Sequence, residues 1–203
     1  MVPQQVKWGP LRFTENVAQR VPYPPRDDEA FIAEQLPYLA ALCKVAREGG
    51  CEFYTTFELK MEEFRQRGPD EGYLGINLIR GVPMKETRSP IPRSIAGGAG
   101  GNIGLTENEQ MDFFRSIQHP RFLQIRKAVG EAHIDDAFHL WSAEEESLDV
   151  FLTLDGRFKR VVFTQTKHIN SSVAVLHPME LCEEMGLAPL DIDQLAAGIN
   201  PFR

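Results

Sequence analysis

The chain is poor in cysteine, short of positive charge and without long apolar runs, and each shortage closes off a class of protein. Cys43, Cys51 and Cys182 are its three cysteines, odd in number and widely spaced, with no CxxC pair. That pattern argues against a disulfide framework and a structural zinc site, and three reduced thiols in or near the core are expected. No stretch approaches the roughly 20 apolar residues that a spanning helix needs. The opening Met-Val-Pro-Gln-Gln has no charged start followed by an apolar stretch, so a signal peptide is not expected and a cytoplasmic protein is. Basic residues number 22 against 29 acidic ones, a net charge of −7. An acidic chain does not coat nucleic acid through a general positive field. It still suits a nuclease that gathers carboxylates around a metal and sets its few cations at the rim. With 42% hydrophobic and 25% charged residues in 203, one compact domain over residues 1–203 is the expectation.

What is present reads as helices alternating with short strands. Five prolines before residue 26 forbid a long helix there, although Leu11-Arg-Phe-Thr suits a short strand and residues 20–26 an extended connection. Asp27-Asp28-Glu29 opens a helix whose apolar positions, from Phe31 to Ala46, recur at helical spacing until Gly49-Gly50. Pro37 would kink or split it. Residues 51–56 alternate as a strand, and Glu58 to Arg67 form a helix stopped by Gly68-Pro69. Residues 68–104 read as a Pro/Gly-rich irregular insertion, with a strand at 76–79 inside it. Thr106-Glu-Asn-Glu109 is a capping box before a helix over 107–117. Helices are expected at 121–130 and 134–146, strands at 149–153 and 173–176, and a helix from Pro178 to a stop at Gly186, with a turn of helix at 191–197. This alternation predicts an α/β fold, a three-layer α/β/α sandwich with a mostly parallel central sheet. In such folds chemistry sits just past the carboxyl ends of strands.

Two carboxylates stand at such positions. Asp136 opens a helix, and Asp155 follows the buried strand nineteen residues later. Paired carboxylates repel, so they raise a pKa or hold a cation, and oxygen ligands suit Mg²⁺ or Mn²⁺. Taken singly, Asp136 is an ordinary helix-start charge and Asp155-Gly156 an ordinary turn. Gly97 to Gly101 lacks the Gly-Lys-Ser/Thr ending and the preceding strand of a phosphate cradle.

The run Asp136-Ala-Phe-His-Leu-Trp-Ser-Ala143, followed by Phe151-Leu-Thr-Leu-Asp155-Gly-Arg-Phe158, resembles the C-terminal half of the PIN domain family, which includes the VapC-type toxins. The segment Val173-Ala-Val-Leu-His-Pro-Met-Glu-Leu181 is similar to that family's last strand and closing helix, so the likeness covers about residues 106–185. Residues 50–56 followed by Glu62 look like its second strand and the glutamate of the next helix. Where the family's first strand ends in Asp-Thr-Asn-Val, this chain has Thr14-Glu15-Asn16-Val17, so either Glu15 substitutes or one ligand is missing.

The resemblance implies a ribonuclease that hydrolyses RNA phosphodiester bonds through Mg²⁺ or Mn²⁺. Glu62, Asp136 and Asp155 would be catalytic, and Glu15, Glu62, Asp136 and Asp155 would hold the metal. Asn16, Thr153, Arg157 and Lys159 would brace the site or meet the substrate. His139 is expected to be buried and structural, and His133 to be close to the site in sequence only. Arg80, Lys85, Arg88 and Arg93 put positive charge in the 68–104 insertion, where it suits an RNA backbone or a solvated loop equally. Partners implied are RNA, an antitoxin or other protein, and a second copy of the chain. The competing expectation is an inactive PIN-like module that binds RNA or a protein, motivated by the missing first aspartate. An α/β phosphohydrolase is weaker, because no Asp-x-Asp follows a first strand and Asp191-Ile-Asp193 comes too late.

Overall fold

In a computed structural model, the structure describes residues 2–8, 11–17, 29–66, 78–79, 81–91 and 106–191. The chain divides into two units, residues 1–32 and 33–203. The first holds a hairpin, β1 (Val2–Trp8) paired antiparallel with β2 (Leu11–Val17), in register from Val2 opposite Val17 to Trp8 opposite Leu11. The sequence offered only a short strand here. Its prolines hid β1, yet Pro3 is tolerated because a two-stranded ribbon leaves every residue on an edge. β2 thus pairs with β1 rather than running parallel in a larger sheet.

The division falls near the start of α1 (Glu29–Arg47), which carries Pro37 inside one continuous helix. Proline gives up one helical N–H there, and the Pro37 carbonyl accepts from the Leu190 N–H at 3.0 Å. Leu36, Ala40, Leu42, Cys43 and Ala46 are buried, as their spacing predicted.

Two parallel strand pairs follow, each closed by a helical crossover, as parallel pairing requires. β3 (Phe53–Thr55) leads through α2 (Phe57–Gln66) to β4 (Met84–Glu86), with Phe53 opposite Met84 and Thr55 opposite Glu86. After three helices, α3 (Glu107–Ser116), α4 (Pro120–Val129) and α5 (Ile134–Glu145), comes β5 (Val150–Leu152). It leads through α6 (Gly156–Thr164) and α7 (Thr166–Ile169) to β6 (Ala174–Leu176), with Val150 opposite Ala174. α8 (Pro178–Met185) closes the described chain and ends on Gly186, whose φ of 67° only glycine adopts without strain. The architecture is mixed helix and strand with short parallel pairs.

Two expectations need correction. Leu78 and Ile79 lie in a turn rather than a strand, and residues 76–77 fall outside the described residues. The 68–104 stretch contributes β4, whose Met-Lys-Glu is exposed and carries no apolar alternation. The brief apolar run Arg160-Val-Val-Phe163 belongs to α6, one helix face of which buries Phe158 and Val162. The expected glycine loop at 97–101, the connection at 20–26, Asp27, Asp28, Arg80, Arg93 and the helical turn past 191 all lie outside the described residues.

The largest core surrounds α5. Phe114, Phe122, Phe138, Trp141 and Phe158 are buried together with Ile125 and Leu140. Phe138 stacks on Phe114 with ring centres 4.7 Å apart and meets Phe122 and Trp141 edge-on. A second cluster, around Leu42 and Cys182, is flanked by Phe53 of β3 and Leu152 of β5. One strand of each parallel pair therefore packs against the same apolar group. Cys43 and Cys182 are buried and Cys51 half-buried, all three as free thiols. Burial pushes the Cys43 thiol up to about 11.

Candidate metal centre

Helix α5 carries the polar groups that the rest of the site meets. A 3-10 turn, Glu131–His133, feeds directly into it, entered through Gly130 at φ 89°. Asp135 and Asp136 fall in the first turn of α5, where the helix dipole favours negative charge. Asp136 and His139, three residues apart, share a face. Each meets residues just beyond the carboxyl end of a different parallel pair.

The first meeting is at β5. Asp155 caps α6: its Oδ1 accepts from the N–H groups of Arg157 (2.7 Å) and Phe158 (3.0 Å). Thr153 Oγ1, itself buried, accepts from the Asp155 N–H at 3.0 Å. These bonds commit one carboxylate oxygen and direct the other. Asp155 Oδ2 lies 3.8 Å from His133 Nδ1, and Asp136 Oδ2 lies 3.4 Å from the same nitrogen. His133, Asp136 and Asp155 each bring one ligand atom within 4.8 Å of the other two. The Asp155 side chain is 42% exposed, against 25% for Asp136 and 16% for His133, so the cluster opens to solvent on the Asp155 side. Burial pushes the Asp136 carboxyl up to about 6, the charges of Asp135 and Asp155 add to that, and His139 and His133 pull it partly back.

The second meeting is at β3. Thr56 caps the start of α2, accepting from the Leu59 N–H at 3.0 Å, and its hydroxyl lies 3.3 Å from His139 Nδ1. The other ring nitrogen, Nε2, lies 3.1 Å from Glu62 Oε1. Gln110 of α3, fully buried, donates from Nε2 to Glu62 Oε1 (3.1 Å) and to Glu58 Oε2 (3.0 Å). Glu62 therefore stands outside the His133–Asp136–Asp155 group, held by an imidazole and an amide. His139 is buried and bonded on both nitrogens.

The other expected residues distribute as follows. Arg157 is exposed beside Asp155. Lys159 is ion-paired with Glu180 of α8. Glu15 and Asn16 lie on β2 in the first unit, and their side chains are outside the described residues. Lys85 pairs with Glu52 across exposed surface.

His133 is the residue that sequence reasoning set aside, since proximity along the chain does not by itself bring a ring to a helix face. The available signal was its place three residues before Asp136. The structure turns that spacing into contact because the 3-10 turn continues into α5, and the ring packs against Phe158 with centres 5.7 Å apart. Glu58 and Gln110 had no signal, since each reads as a surface helix residue until α2 and α3 are brought together.

At a metal–oxygen bond of about 2.1 Å, neighbouring octahedral ligands stand roughly 3.0 Å apart and opposite ones roughly 4.2 Å. The 3.4 and 3.8 Å spacings fall between those limits. Two carboxylates and an imidazole can hold a hard or borderline dication. No helix among the described residues is long and apolar enough to cross a membrane. No protein-family model, curated protein or solved structure matches the chain.

Proposed function

We propose that the chain is a metal-dependent ribonuclease of PIN type, and that its two parallel pairs belong to a three-layer α/β/α sandwich. The observation that carries this reading is the convergence of Asp136 and Asp155, nineteen residues apart in sequence, within 4.8 Å at the start of α5. Support for the layered fold comes from the two pairs delivering the ends of β3 and β5 to one helix, through His139 and Asp136.

Asp136 and Asp155 are the residues that would hold Mg²⁺ or Mn²⁺. When bound, such an ion supplies a hydroxide nucleophile near neutral pH and offsets charge on the phosphodiester. The chain's own groups prepare the place. Thr153 and the α6 N-terminus fix the Asp155 carboxylate, so no reorientation is needed when it takes a ligand. Arg157, exposed beside it, would meet a phosphate oxygen. His139 and Gln110 hold Glu62 in one orientation. Nothing is required of Glu15 or Asn16.

A second reading has its own observation. His133 lies within 4 Å of both aspartate oxygens and so gives each carboxylate a polar partner without any metal, which suits an inactive module that binds RNA or a protein.

One assay separates the two. Labelled single-stranded RNA is incubated with the protein and Mn²⁺, beside Asp136→Asn and Asp155→Asn. The nuclease predicts cleavage that is lost in both variants and on chelation. Binding without cleavage favours the inactive module.

A further inference from the structure

We infer that His133 is a ligand of the same centre, and that the imidazole makes the site select Mn²⁺ over Mg²⁺; the inference rests on the metal-site reading above. His133 Nδ1 faces both aspartates, 3.4 Å from Asp136 Oδ2 and 3.8 Å from Asp155 Oδ2. Backbone and ring are both held. The His133 backbone N–H bonds to the Gly130 carbonyl at 3.2 Å, the 3-10 turn runs straight into α5, and the ring lies against buried Phe158, tilted by 49° with centres 5.7 Å apart. Phe158 lies on the helix that Asp155 caps, so the packing that places the imidazole also places the second carboxylate. A nitrogen donor held this way discriminates between dications. Mg²⁺ takes oxygen ligands and keeps its water, whereas Mn²⁺ and the later first-row ions accept imidazole readily. The class of occupant is a first-row transition dication, with Mn²⁺ the one suited to a mostly carboxylate site that must turn over phosphodiesters.

The test uses the full chain, uniformly ¹⁵N-labelled and unlabelled, loaded with Mn²⁺ and read by pulsed electron paramagnetic resonance. A directly bonded imidazole gives a nitrogen modulation that changes between ¹⁴N and ¹⁵N samples. Mn²⁺ and Mg²⁺ affinities are measured in parallel by calorimetry for the wild type, His133→Gln, and His168→Gln as an exposed control. Expected are the modulation in wild type and in His168→Gln, its loss in His133→Gln, and a fall of roughly ten-fold in Mn²⁺ affinity with Mg²⁺ affinity unchanged. Circular dichroism of His133→Gln checks that the fold persists, and the isotope comparison in the wild type needs no variant. Wild-type Mn²⁺ without nitrogen modulation, or an unchanged Mn²⁺ to Mg²⁺ ratio in His133→Gln, overturns the inference while leaving the two-aspartate site and RNA cleavage standing. Nitrogen-bound Mn²⁺ without RNA cleavage does the reverse, sustaining this inference and removing the nuclease. Absence of Mn²⁺ binding to the wild type removes both.

Discussion

Asp136 carries the largest electrostatic strain at the site, and it makes a prediction whose sign is fixed. Its carboxyl is held near 6, above its ordinary value of 3.8, chiefly by burial and then by Asp135 and Asp155. The folded state therefore prefers the protonated form. Its contribution to stability is full below about pH 4 and is lost as pH rises through about 6. Ionising a carboxyl displaced that far costs the fold up to ~3 kcal/mol by neutral pH. In chelator, Asp136→Asn should be more stable than the wild type at pH 7, and the difference should shrink toward zero at pH 4. Urea unfolding at the two pH values reads it. Equal midpoints at pH 7 would mean that folding does not raise the Asp136 carboxyl. Mn²⁺ should reverse the ranking, because a dication favours the ionised pair. The aspartates were visible in the sequence because Asp136 opens a helix and Asp155 follows a buried strand, each within a recognisable run. Their third partner was not, since an isolated histidine carries no period.

At the scale of elements, the ends of helices decide what could be read in advance. The capping box is formed in full: the Thr106 N–H donates to Glu109 Oε2 at 2.7 Å, and the Glu109 N–H donates to Thr106 Oγ1 at 3.2 Å. Thr106→Ala should cost about 1 kcal/mol, measured by chemical denaturation, because one N–H at the start of α3 loses its acceptor. Gly186→Ala should cost about as much by the same measurement, and for a conformational reason alone. A Cβ there meets nothing within 4 Å, but φ is 67°. Both helix ends were legible because caps are local chemistry. β4 was not legible. Its three residues are exposed, and only backbone pairing to β3, some thirty positions earlier, makes them a strand. The hairpin strand β1 was hidden in the same way, by prolines that an edge tolerates.

Across the whole molecule, α5 is the common member of core and site. One face supplies Phe138 and Trp141 to the aromatic core, and the start of the helix supplies Asp136. Phe138→Ala removes a ring that is fully buried among Phe113, Phe114, Phe122 and Trp141, and should cost about 3–5 kcal/mol in thermal or chemical unfolding. A loss below about 1 kcal/mol would mean that α5 is not the pillar of the fold. Helix–strand alternation pointed to parallel strands and to both members of the β5–β6 pair, but not to β4 or to the α6 crossover. How pairs join into larger sheets depends on contacts between distant segments, which no local pattern encodes.

The most direct measurement is a crystal of the full chain grown with Mn²⁺ and recorded at a wavelength where manganese scatters anomalously. One anomalous peak is expected within bonding distance, about 2.1–2.3 Å, of carboxylate oxygens of both Asp136 and Asp155. A well-ordered site with no peak between those two side chains at saturating Mn²⁺ would contradict a shared metal centre.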